Sequence, residues 1–95
     1  MVHSVNPPDV LKAAAAHMTD RAATYDDVEG ERSMSNTVTA FNAITGMTMS
    51  EEEGWLFMVL LKMVRSQKGN FKLDNFEDGA AYVALMAEAA GKDQT

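Results

Sequence analysis

Residues 50–67 read SEEEGWLFMVLLKMVRSQ, and this stretch decides the fold. Ser50 followed by Glu53 is a capping box. The serine hydroxyl can accept from the backbone N–H three residues on, the glutamate can fold back onto the serine N–H, and three carboxylates sit at the positive end of the dipole. A helix is therefore predicted over 51–67, ending before Gly69. Trp55, Leu56, Phe57, Met58, Val59, Leu60, Leu61, Met63 and Val64 cover nearly its whole circumference, which predicts a place at the centre of the core or in a subunit interface.

Downstream, Asp74-Asn75-Phe76-Glu77 repeats the box in its Asp form and predicts a helix over 75–90 that stops at Gly91. Gly79, Ala80, Ala81, Ala84, Ala87 and Ala89 let a neighbouring helix approach closely. Upstream, Asn6 can cap a helix over 8–23 that Pro7 and Pro8 open, with Leu11, Ala15, Met18 and Ala22 as its apolar stripe. Residues 25–32, YDDVEGER, have no period and read as an acidic loop. A helix over 34–45 follows, with Met34, Val38, Phe41 and Ile44 on its apolar face and Gly46 as its stop. Four helical segments, no period-two strand and no repeat predict one all-α domain over 1–95, a compact bundle of about four helices. An all-round apolar third helix is hard to cover within so short a chain, so a homo-oligomer is expected.

The chain has 95 residues, 46% of them hydrophobic and 23% charged. That composition suits a globular protein with a single core and excludes a catalytic domain paired with a regulatory one. Eight Lys and Arg against fourteen Asp and Glu give a formal charge of −6, the wrong sign for a protein that holds nucleic acid by neutralising phosphates. With no cysteine there is no disulfide framework, thiolate nucleophile or zinc–cysteine site, and a reducing cytoplasm is the expected compartment. The N-terminal MVHSVNPP has neither a basic n-region nor an apolar h-region, and no run is long enough to cross a membrane, so neither secretion nor insertion is expected.

Helical rotation places Lys62 among Trp55, Met58 and Val59, and Arg65 beside Met58, so two cations lie on an apolar face and require partners. On the fourth helix Asp74, Asp78 and Tyr82 fall along one edge, and an antiparallel hairpin brings that edge opposite Lys62 and Arg65. The structural reading is an ion-pair network of Lys62, Asp78, Asp74 and Tyr82. The functional reading notes that Lys62, Arg65, Lys68 and Lys72 fall within eleven positions containing no acid. His17, Arg21 and Tyr25 form a second row at intervals of four. Arg21, Tyr25, Arg65 and His17 together offer the cations, aromatic face and donors that hold a phosphorylated nucleotide. Glu51, Glu52 and Glu53 point in different directions, and His3 and His17 have no second histidine nearby, so no metal site, cofactor or catalytic residue is assigned.

Arg21-x-x-x-Tyr25-Asp-Asp27, Leu61-Lys62-x-x-Arg65 and Asp74-Asn-x-x-Asp78-x-x-x-Tyr82-x-Ala-Leu85 together resemble a family of small helical proteins of unknown function found in bacteriophages and prophages. The resemblance covers residues 18–90. Members usually show Tyr-Gly-Asp in the first motif, where Asp26 replaces the glycine here. That family is similar, at a distance, to phage nucleotide-modification-associated domains and to the all-α nucleoside triphosphate pyrophosphatases of MazG type. Those enzymes are implied to hold magnesium with Glu-x-x-Glu and Glu-x-x-Asp motifs. Here Gly54 stands where Glu51 needs its partner, and Ala80 stands where Glu77 needs one.

The resemblance and the residues together imply a phage accessory protein in the host cytoplasm that binds a phosphorylated ligand, such as a nucleotide or nucleotide second messenger, without turnover. Sequestration of a host defence signal is one such role. The alternatives are an acidic helical protein that inhibits a host protein and a degenerate pyrophosphatase.

Overall fold

The computed structural model describes residues 4–25 and 33–92, the side chains of 22–25 excepted. They form α1 (Pro7–Tyr25), α2 (Ser33–Thr45), α3 (Glu51–Ser66) and α4 (Leu73–Lys92), with no strand among the described residues. The protein is thus all-α.

Local signals set most helix ends. Ser50 and Glu53 exchange the reciprocal bonds of the capping box, Glu53 N donating to Ser50 Oγ at 3.1 Å and Ser50 N to Glu53 Oε1 at 2.9 Å. Asn6 Oδ1 accepts from Asp9 N at 3.1 Å and caps α1. Gly46, at φ +75°, ends α2 in a left-handed conformation that a side chain would strain.

The start of α4 departs from expectation. The helix begins at Leu73, which makes Lys72 the N-cap and leaves Asp74 within the first turn. Phe71 and Phe76 then occupy the N′ and N4 positions and stack with centroids 5.9 Å apart, a hydrophobic staple that fixes the entry of the chain. Glu77, expected to fold back and cap, turns instead toward α1.

Packing is centred on α4, which contacts both α3 and α1, while α2 packs on α3. Gly79, Ala81, Tyr82, Leu85 and Ala89 of α4 are buried, whereas α3 buries only Gly54 and Trp55. Each of α3 and α4 thus contacts two helices, but α3 leaves much of its apolar circumference outside the core, so it is not wholly enclosed within one chain. Leu56, Phe57, Leu60 and Val64 of α3 remain exposed. The core gathers Met34, Val38, Trp55, Tyr82, Leu85 and Ala89, flanked by Met18, Met49, Met58, Val59 and Met86.

Two further faces differ from those expected. Among the described side chains of α1, Ala14 is buried and Val10, Ala13 and Met18 are half-buried, while Leu11 is 63% exposed and Ala15 is exposed; the side chain of Ala22 lies outside the described residues. The run Ala13–Ala16 carries no size contrast to mark a face, so the small surface of α4 selects one. In α2, Met34 and Val38 are buried, but Ile44 is 84% exposed and Phe41 is only partly covered. No described helix is long and apolar enough to cross a membrane.

Candidate functional site

Glu77 and Asp78 are neighbours on α4, about 100° apart around its axis, and each reaches a different helix. Asp78 Oδ2 lies 3.0 Å from Lys62 Nζ of α3, in a pair whose side chains are 14% (Lys62) and 18% (Asp78) exposed. Glu77 Oε1 lies 3.2 Å from His17 Nε2 of α1. Beside them Gly79 faces α3, where a Cβ would stand 2.9 Å from Met63 Cε, the end of a flexible side chain.

Asp74 and Tyr82 do not join this pair. Asp74 is exposed in the first turn of α4. Tyr82 is buried and stacks on Trp55, with ring centroids 5.6 Å apart and planes at 25°. The expected four-member network is thus corrected to the pair Lys62–Asp78. Tyr82 instead serves the core, because one helical turn beyond Asp78 the α4 edge turns under the Trp55 ring.

The two cationic rows are held apart. Among the described residues α1 and α3 make no packing contact, with α4 between them. An open groove of about 460 Å³ brings Asn6, Asp9, Val10 and Ala13 beside Phe71 and Leu73. His17 meets Glu77, and Met18 packs on the central cluster, so α1 runs in the same direction as α4. Arg21, half-buried, continues that course toward the later turns of α4. Arg65 is exposed in the last turn of α3, near the start of α4. One chain therefore does not bring Arg21 and Arg65 to a common point. The side chain of Tyr25 and the Asp26–Asp27 part of its motif lie outside the described residues.

What the sequence reading passed over is the α3–α4 turn itself. Its staple stacks Phe71 on Phe76, yet Phe71 as a residue remains 64% exposed. Arg65, Lys68 and Lys72, in the same eight-residue segment, are exposed and have no carboxylate partner among the described residues. The i, i+5 spacing of the two phenylalanines directly after Gly69-Asn70 was the available signal. The groove beside Phe71 is different in character: Asp9 and Glu77 line it, which disfavours an anion there.

Among the described residues, no three His, Asp or Glu side chains gather into a group able to hold a metal ion. Gly54, the position at which an acidic Glu51-x-x-Glu motif would be completed, is occupied by packing. A Cβ there would meet Met34 Sδ at 2.5 Å and Val38 Cγ1 at 2.8 Å, so any side chain competes with α2 for the same space. No curated protein and no solved structure matches the chain significantly. The family model for the domain of unknown function DUF6378 matches residues 9–90, reaching from α1 to α4, and the chain belongs to that family.

Proposed function

We propose that this chain is a small helical binding protein that holds a phosphorylated ligand with a planar group, such as a nucleotide or nucleotide second messenger, without transforming it. The observation that carries the reading is the α3–α4 turn, where exposed Phe71 and the exposed Arg65, Lys68 and Lys72 fall within eight consecutive residues of an otherwise acidic protein. A base stacks on the free face of Phe71, and the guanidinium and ammonium groups receive the phosphates. Of the four residues the sequence suggested for the ligand, this reading uses Arg65, whereas Arg21, Tyr25 and His17 belong to α1 and are not needed for it. Lys62 is occupied by Asp78.

In a phage-infected cell the protein would act in the host cytoplasm as a homo-oligomer that sequesters a signalling nucleotide. The exposed apolar residues of α3 favour a second reading, in which an acidic helical protein blocks a host protein. The pyrophosphatase alternative draws no support from Gly54, whose place in the α2–α3 contact excludes the missing carboxylate.

Thermal shift against nucleotides and cyclic dinucleotides tests the proposal, since a ligand that binds only the native state adds RT ln(1 + [L]/Kd) to stability. At 100 Kd that is about 2.7 kcal/mol, or a rise of roughly 10–20 °C for a domain of this size. Phe71→Ala and Arg65→Ala should abolish the rise and Arg21→Ala should keep it. A panel without any stabilising nucleotide, or one whose effect survives both Phe71→Ala and Arg65→Ala, refutes the reading.

A further inference from the structure

The α3 face turned away from α4 carries Leu56, Leu60 and Val64 at intervals of four, with Phe57 beside them on the side of α2. All four are more than two-fifths exposed, and no described side chain anywhere in the protein reaches complete burial. The ridge runs about 12 Å along the helix. No charged residue interrupts it between Glu53 and Lys62, and Lys62 turns the other way, onto Asp78. An apolar helix ridge of this spacing is what a facing helix packs into.

The charges at its two ends identify the occupant. Glu52 and Glu53 stand in the first turn of α3 and Lys68 follows its last turn, while Glu51 faces Lys92 of α4 within the same chain. The ridge is centred on Leu60, with negative charge at one end and positive charge at the other. A two-fold axis at Leu60 that sets a second α3 antiparallel to the first places Leu56 against Val64 and the acidic turn of each copy near the basic end of its partner. It also aligns the two helix dipoles head to tail. A contact of this kind is self-complementary and closed, as two-fold interfaces must be. A stable interface takes roughly 800 Å² from each partner, so the ridge needs an extension, and the exposed Phe41 and Ile44 of the adjoining α2 can supply it.

We propose that the partner of this face is a second copy of the same chain, joined through an antiparallel α3–α3 contact centred on Leu60. The proposal rests on the homo-oligomer reading above and does not depend on the ligand. Arg65 lies on the flank of α3 away from the ridge and stays open in the dimer.

Sedimentation at tens of micromolar should give twice the 10.3 kDa chain mass. Leu60→Glu, at a solvent-exposed position, should halve that mass with the helical circular dichroism unchanged. Because the chain has no cysteine, Leu60→Cys under mild oxidation should form a covalent dimer, while Ala16→Cys on the exposed side of α1 should not. A wild-type monomer overturns both the oligomer reading and this contact, and assigns the face to a foreign protein. A dimer that persists in Leu60→Glu, or a Leu60→Cys chain that does not cross-link, overturns the α3 contact alone.

Discussion

Gly54→Ala and Gly79→Ala form a matched pair of perturbations. Each adds one methyl inside a helix, and each gains up to about 1 kcal/mol of helix propensity relative to glycine. The surroundings differ. At Gly54 the new Cβ meets Met34 Sδ at 2.5 Å, Val38 Cγ1 at 2.8 Å and Met34 Cγ at 3.1 Å. Met34 can swing, but Val38 is β-branched and stiff on its helix, so its methyl yields only if α2 moves. Overpacking of this kind costs about 1–3 kcal/mol. At Gly79 the nearest atom is the terminal Met63 Cε at 2.9 Å, on a flexible side chain, and the next, Lys62 Cβ, is at an ordinary 3.8 Å. Gly54→Ala should therefore be destabilising by about 1 kcal/mol net, a fall in Tm of roughly 4–8 °C, while Gly79→Ala should be neutral or slightly stabilising. The assay is thermal unfolding followed in parallel by far-UV circular dichroism and by the single tryptophan, Trp55, which adjoins Gly54 and is buried against Tyr82. Equal melting temperatures for the two variants, or a Gly54→Ala protein more stable than Gly79→Ala, would refute the argument that α2 is seated by contact with Gly54.

The Lys62–Asp78 pair is mostly buried, so Asp78→Ala should strand an ammonium and lower stability by about 1–3 kcal/mol. The double change Lys62→Met with Asp78→Ala should recover most of that loss in urea unfolding; a double variant as weak as the single one would show that the charge pairing is not the cause. Asn42 donates Nδ2–H to Met49 O and accepts from Met49 N, both at 2.8 Å, and so ties the α2–α3 connection. Asn42→Ala should cost about 1–2 kcal/mol, with amide hydrogen exchange at Met49 accelerated more than in α4, whereas uniform acceleration would contradict the local role.

The sequence by itself determined the all-α class, the four helices and the ends governed by groups a few residues apart. The Ser50–Glu53 box, the Asn6 cap and the Gly46 stop are local interactions, complete within one turn of chain, and their residue types admit few other uses. Lys62 opposite Asp78 was also legible, because a cation on an apolar face at that spacing demands an anion from the next antiparallel helix. Tertiary structure decided what local chemistry left degenerate. Four consecutive alanines gave α1 no preferred face, and α4 imposed one. The apolar circumference of α3 pointed to a central helix or an interface, and which part of it is covered depended on where α2 and α4 pack, an arrangement that leaves Leu56, Phe57, Leu60 and Val64 exposed. Asp74 and Glu77 matched a capping pattern, but stacking of Phe71 on Phe76 set the helix start earlier and freed Glu77 for His17. Whether the rows of Arg21 and Arg65 meet depended on which helix lies between α1 and α3, a relation among three distant segments that no spacing within one of them encodes.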